Sequence, residues 1–296
     1  MTADGRAGVT AGLVHRLVAE QFPAWAGLPV RPVESDGWDN RTYRLGEELT
    51  VRLPSHERYV AGVTKEDRWL PVLAPQLPLP VPVPVATGRP GPGYPHPWSV
   101  RRWIPGRPLT PEALTEPTGL ALDVAAFLRA LRAVEATGGP AAGVHSFFRG
   151  CPPLAYDAEV RAALDELGGE VDRRGAEEAW RRALGSTWSS PPVWFHGDVA
   201  PGNLLLDDTG RLAAVIDFGT CGVGDPACDL VLAWTVLDGD ARTTFREAAG
   251  LDEGCWHRGA GWALWKALIV LAGRSGTAAE DAAQHAVVRE VLTGLG

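Results

Sequence analysis

Asp198, Asn203 and Asp217 are the residues of this chain whose types and spacing could do chemistry together. They stand in His196-Gly197-Asp198-Val199-Ala200-Pro201-Gly202-Asn203 and in Asp217-Phe218-Gly219. Between them lie the apolar run Leu204-Leu205-Leu206, a turn at Asp207 to Gly210, and a second apolar run from Leu212 to Ile216, which together read as a β-hairpin. If the pairing is symmetric about Gly210, Asn203 faces Asp217 with Cα atoms about 5 Å apart. An amide oxygen beside a carboxylate, with no Cys or His around them, suits a hard cation such as Mg²⁺ that keeps waters and bridges to phosphates. Asp198 starts the same loop and puts a second carboxylate on a separate turn, where it can face a substrate hydroxyl. Phosphoryl transfer needs these parts: a group that orients the incoming oxygen and takes its proton, and charge that neutralises the transferred phosphoryl.

Each piece alone has a plainer reading, a loop histidine with a capping partner or a common turn tripeptide. A metal-dependent phosphatase or nuclease would need more His or carboxylate ligands than His196 supplies, so His196 is read as a residue that positions the loop. Taken in order, the pieces are close to the His-Arg-Asp-x-x-x-x-Asn and Asp-Phe-Gly of protein kinases. With Gly197 in place of the Arg and Ile216 before Asp217, they resemble the aminoglycoside phosphotransferase family, which includes macrolide phosphotransferases and relatives of choline kinase. Gly224-Asp225-Pro226-Ala227-Cys228-Asp229-Leu230 resembles the element that opens a helix under the catalytic loop in that family. Pro226 fits a first helical position and Asp225 the cap before it, while by resemblance Asp229 braces the loop from beneath. The likeness is densest from Val193 to Leu232.

The resemblance implies an α+β, protein-kinase-like fold, with a small β-rich lobe over residues 1–104 and a larger, mainly helical lobe over 105–296. It implies transfer of the γ-phosphoryl of ATP, or alternatively GTP, to a small-molecule hydroxyl, with Asp198 as base and Asn203 and Asp217 holding Mg²⁺. An aminoglycoside or macrolide antibiotic is the favoured acceptor. A metabolic kinase for an amino alcohol, sugar or amino acid is the alternative, and a catalytically silent nucleotide-binding protein the third reading.

The elements that must position these residues follow from periodicity. Val9 to Phe22 carries a helical stripe at Leu13, Val14, Leu17 and Val18. Asn40 to Leu45 and Leu49 to Leu53 alternate about Gly46-Glu47-Glu48, a hairpin. Thr50 and Arg52 then share one face and Val51 and Leu53 the other. Arg52 takes the place of the kinase Lys and is expected to pair with Glu66 on a helix from Thr64 to Leu73, the two serving nucleotide binding; a solvated strand residue is the plainer reading of Arg52. Ser35-Asp36-Gly37-Trp38-Asp39-Asn40 holds the position of a phosphate-covering loop but has one glycine, so a simple strand connection stays equally open. Proline at every second position from Leu77 to Pro84 excludes a central strand there and suggests polyproline or an edge strand. Trp98 to Ile104 reads as the strand into the inter-lobe hinge, with the break at Pro105-Gly106-Arg107-Pro108. The remainder is helical in pattern: Pro111 to Ala136, Leu154 to Leu184, Pro226 to Val236, Ala241 to Ala249, Glu253 to Ala272 and Ala278 to Leu295. Trp234, Trp256, Trp262 and Trp265, beside Asp238, Asp240, Asp252 and Glu253, could hold a cationic sugar or could be core tryptophans with an acidic rim.

Composition sets the outer bounds. The chain has 296 residues, 45% hydrophobic and 22% charged, which is enough to bury substantial cores and is not the profile of a disordered chain. A net charge of −8 argues against nucleic acid as partner. No apolar run is long enough to span a bilayer, and Met1 to Arg6 has no signal-peptide pattern, so no membrane partner is expected and the expected compartment is the cytoplasm. The expected state is a monomer or homodimer. Cys151, Cys221, Cys228 and Cys255 form no close metal pairs and are expected as reduced thiols.

Overall fold

The structure is a computed structural model that describes residues 8–33, 37, 39–273 and 277–294. Ser35, Asp36 and Trp38 of the loop expected near the nucleotide phosphates, and the last expected helical residue, Leu295, lie outside the described residues. Chain contacts define two units, one of Met1–Gly106 with Ala214–Gly219, the other of Arg107–Ala213 with Thr220–Gly296.

The first unit opens with α1 (Ala11–Gln21), started by the Thr10 hydroxyl, which accepts the Leu13 N–H. β1 (Val30–Pro32), β2 (Asn40–Leu45) and β3 (Leu49–Pro54) follow, then α2 (Val60–Leu73), β4 (Pro84–Gly88) and β5 (Trp98–Arg102). The sheet is antiparallel in the order β1-β2-β3-β5-β4. Leu45 pairs with Leu49, and Gly46 opens the intervening turn at φ +60, where a side chain would be strained. Leu45, Val51, Leu53, Trp98 and Val100 pack with Leu13, Val14, Leu17 and Val18 of α1 into one apolar core. Burying side chains of this size is worth about 1.5–3 kcal/mol each. The opposite face is polar, with Thr50, Ser99 and Arg101 buried on it. Of the alternating prolines only Pro84 enters a strand, as the first residue of the edge strand β4, where proline is tolerated, and the register slips between Pro84 and Ala86.

The second unit comprises β6 (Arg107–Pro108), α3 (Pro117–Ala133), α4 (Asp157–Leu167), α5 (Arg173–Leu184), β7 (Val193–Phe195), β8 (Leu204–Leu206), the start of β9 (Leu212–Val215), β10 (Gly222–Gly224), α6 (Leu232–Thr235), α7 (Gly239–Ala249), α8 (Glu253–Gly273) and α9 (Ala278–Thr293). α8 is the central helix, packed by α4, α5 and α9, while α3 packs on α7. The helix expected from Leu154 to Leu184 is two helices. Gly168 takes φ +55 and ends α4, and the Asp172 carboxylate accepts the Gly175 N–H at 3.0 Å to begin α5. The expected Pro111 start shifts to Pro117, which occupies the first turn of α3. Pro226 to Val231 is a 3₁₀ helix that passes into the short α6.

Candidate active site

His196 to Asn203 leaves β7 as a loop fixed at several points by hydrogen bonds. The Asp229 carboxylate, 1% exposed, accepts the backbone N–H of His196 at 2.8 Å and of Gly197 at 2.6 Å. Burial raises the Asp229 pKa, while His196 and the two amides oppose that rise. The His196 ring is buried, and its Nδ1 accepts the Asp198 N–H at 3.2 Å. Thr220 donates its hydroxyl to the His196 carbonyl at 3.0 Å. Gly197 holds φ +86, and a Cβ there would fall 2.9 Å from the Thr220 hydroxyl, so the position that protein kinases fill with Arg admits only glycine in this backbone. The 3₁₀ turn Pro201–Asn203 then swings Asn203 back, and its Nδ2 donates to both the carbonyl and the carboxylate of Asp198 at 2.9 Å. One side-chain amide thus aims the Asp198 carboxylate and leaves its own oxygen as the group that could meet a cation.

Asp225 caps the following turn through the Ala227 N–H at 3.0 Å, and its carboxylate also takes the buried Arg258 guanidinium of α8 at 2.6 Å. The sequence gives no hint of Arg258, which is far along the chain on a helix that reads as apolar.

The hairpin register differs from symmetry about Gly210. The Asp207 N–H donates to the Arg211 carbonyl at 2.9 Å, which centres the turn on Thr209. The Asp207 carboxylate draws in the N–H groups of Thr209 and Arg211 and the Thr209 hydroxyl, an Asx turn that pulls the centre one residue toward the N-terminus. Asn203, in its 3₁₀ turn, and Asp217, beyond the end of β9, both lie outside the ladder, so strand pairing does not set them opposite one another.

Asp217 belongs to the first unit with Arg52 and Glu66. It holds φ +65, a left-handed conformation that a non-glycine residue adopts only when its surroundings impose it. Arg52 Nη1 reaches Glu66 and Nη2 reaches Asp217, each at 3.1 Å. Glu66, 1% exposed, also accepts the Phe218 N–H at 3.0 Å and pairs with the fully buried Arg101 at 3.1 Å. Burial works against its charged form, but Arg101, Arg52 and the Phe218 amide prevail and hold the Glu66 pKa down at about 2. Nothing in the sequence singles out Arg101. It alternates with Val100 and Arg102 on β5 as an ordinary strand cation would, and only its place beneath α2 shows that it is buried against Glu66 and Asp67.

The four tryptophans form two groups. Trp234 and Trp256 meet at 4.7 Å, with Arg246 over Trp256, while Trp262 and Trp265 gather with Tyr156. Of the acids expected beside them, Asp252 caps α8 through the Cys255 N–H at 2.7 Å, and Glu253 pairs at 2.7 Å with the same Arg246 that lies over Trp256. No group of three or more His, Cys, Asp or Glu residues placed to hold a metal occurs among the described residues. Asn203 and Asp217 each offer oxygen donors of the kind that a hard cation takes. All four cysteines are free thiols, and no described helix is long and apolar enough to cross a membrane.

A protein-family model described as a phosphotransferase enzyme family matches residues 30–268, and the chain belongs to that family. Its fold is kinase-like, an antiparallel five-stranded sheet followed by a mainly helical part. It is similar to viomycin phosphotransferase of Streptomyces vinaceus, with 31% identity over 144 residues, which cover 45% of this chain and 48% of that protein. The match thus spans about half the length of that relative. Among solved structures it resembles the GDP complex of aminoglycoside 2'-phosphotransferase-IIIa, with TM-score 0.71, 17% identity, and coverage of 97% of this chain and 99% of the other. It also resembles macrolide 2'-phosphotransferase MphH from Brachybacterium faecium, with TM-score 0.59, 25% identity, and coverage of 93% and 97%.

Proposed function

We propose that the protein transfers the γ-phosphoryl group of ATP or GTP to a hydroxyl of a small molecule, with Asp198 as the base that takes the hydroxyl proton. The observation that carries this reading is the Asp198 carboxylate, aimed by Asn203 on a loop that Asp229 holds from two backbone amides. Such pre-set geometry is the main thing a phosphoryl-transfer enzyme contributes. Arg52 and Glu66 serve the nucleotide phosphates. Asn203 and Asp217 are the residues that would hold Mg²⁺, which when bound neutralises charge on the transferred phosphate. The GDP in the aminoglycoside phosphotransferase complex supports a nucleotide as donor.

The names of the similar proteins support an antibiotic as acceptor. A metabolite acceptor is the second reading, favoured by the Lys266 ammonium, which lies within the field of Asp198. A coupled assay with Mg²⁺ and ATP or GTP, run over aminoglycosides, macrolides, peptide antibiotics and hydroxylated metabolites, tests both readings. One strong hit that disappears in Asp198→Ala fixes donor and acceptor together. Turnover that survives in Asp198→Ala rejects the base.

A further inference from the structure

Among the described residues, Glu66 on α2 meets two guanidinium groups, although one would balance its charge. Glu66 Oε1 accepts from Arg52 Nη1 at 3.1 Å and from the Phe218 N–H at 3.0 Å. Glu66 Oε2 accepts from Arg101 Nη2 at 3.1 Å, and Arg101 Nη1 stands 3.1 Å from Oε1. All of these groups belong to the first unit, so one fold sets the network.

The two arginines are not equivalent. On the sheet Arg52 pairs with Ser99 and Thr50 with Arg101, so both cations rise from the same face in adjacent cross-strand pairs. The Arg52 side chain is 12% exposed and that of Arg101 only 1%. Each nitrogen of the Arg101 guanidinium is taken within the fold: Nε donates to the Ser99 hydroxyl at 3.0 Å, Nη1 faces Glu66, and Nη2 reaches Asp67 at 3.3 Å as well as Glu66. Asp67 in turn accepts the Thr87 hydroxyl at 3.3 Å. A phosphate arriving from solvent can therefore meet Arg52 and not Arg101.

To meet a phosphate, Arg52 has to give up part of its hold on Glu66 or Asp217, because its Nη1 and Nη2 are committed to those acids. If Arg52 were the only counter-charge of Glu66, that move would strand a buried carboxylate, which is strongly unfavourable. Arg101 and the Phe218 amide stay on Glu66 throughout and lower the penalty.

We propose that Arg101 is a positioning residue for nucleotide binding: by giving Glu66 a second, permanent counter-charge, it leaves Arg52 free to turn toward the phosphates. The inference rests on the reading that Arg52 serves those phosphates. An arginine suits the task better than a lysine, since its planar fork reaches two acids and a hydroxyl at once.

A plain staple between β5 and α2 would use the same bonds, so the test reads the phosphates rather than the fold. ATP with adenosine, and GTP with guanosine, are titrated in the presence of Mg²⁺ onto the full chain by isothermal calorimetry, and the ratio of nucleoside Kd to nucleotide Kd isolates what the phosphates contribute. In R101M this ratio is expected to fall about tenfold while the nucleoside Kd stays within about twofold. R101K keeps the charge and should recover part of the loss. E66Q/R101M removes the acid together with its partner, frees Arg52, and should bring the ratio to within about threefold of the unchanged protein. That variant has no stranded acid at position 66, so it carries the test if R101M does not fold. A staple would weaken nucleoside and nucleotide alike; an unchanged ratio in R101M, or a ratio in E66Q/R101M about tenfold below that of the unchanged protein, would overturn the role of Arg101. R52M separates the two readings. If it lowers the ratio and R101M does not, Arg52 still serves the phosphates and only the inference falls, whereas a ratio unmoved by R52M removes the phosphate role of Arg52 and the inference with it.

Discussion

Glu66 is the residue on which the first unit's polar interior converges, and its energetics depend on pH in a definite sense. Its pKa is held at about 2 in the folded protein against an ordinary 4.5. A depressed carboxyl stabilises the fold above its unfolded value and loses that contribution as pH falls, here between 4.5 and about 2. Asp229 acts with opposite sign, since burial raises its pKa and its protonation in acid relieves a cost. The Glu66→Gln protein is therefore expected to be less stable at neutral pH and to lose less stability on acidification, which denaturant midpoints at pH 7 and pH 3 would measure. An unchanged pH slope would show that Glu66 does not govern the acid limb. At the catalytic loop, Asp198→Ala should lower kcat by about 10²–10⁴ while nucleotide binding stays within a small factor. Asp229→Asn keeps the shape but turns one of the two accepting oxygens into an NH₂ donor facing a backbone N–H, so one loop bond is lost and the other weakened, a cost of about 1–3 kcal/mol readable as a shift in the unfolding midpoint.

Among the elements, the loop through Gly150 and strand β7 are locked together by one missing methyl group. Gly150→Ala adds a Cβ 2.0 Å from the Phe195 ring at a residue with φ +79. Overpacking and left-handed strain together should cost about 2–4 kcal/mol and disturb the catalytic loop that follows Phe195. Gly169, in the connection between α4 and α5, has nothing within 4 Å of a built Cβ. Gly169→Ala should accordingly stay within about 0.5 kcal/mol, so thermal unfolding of the pair separates the packing argument from a general effect of replacing glycine.

For the whole molecule, ligand binding and stability are linked. If Asp217 takes part in holding Mg²⁺, ATP with Mg²⁺ should raise the unfolding free energy more than ATP alone, its total gain over the unliganded protein reaching about 2.7 kcal/mol when the complex is present at 100 times its Kd. In Asp217→Asn that metal-dependent increment should shrink sharply. Calorimetric scans with and without Mg²⁺ decide the matter, and equal increments in both proteins would take Asp217 out of the coordination shell.

The sequence by itself determined the elements and the chemistry that depend on near neighbours. The stripe of α1, the hairpin of β2 and β3, and the order of His196, Asp198, Asn203 and Asp217 are all set by local period, turn residues and spacing. The pairing of Arg52 with Glu66 was also within reach, because strand alternation fixes the face on which Arg52 stands. Other features depended on contacts between distant parts of the chain. A side-chain Asx turn at Asp207 decided the hairpin register, and left-handed backbone at Gly168 divided one expected helix into α4 and α5. The tertiary structure alone buried Arg101 against Glu66, joined Arg258 to Asp225, and separated four tryptophans into two groups, one of which meets Arg149 from another segment. Local pattern carries no information about which partner will share a buried charge; only the packing that removes water from both groups decides it.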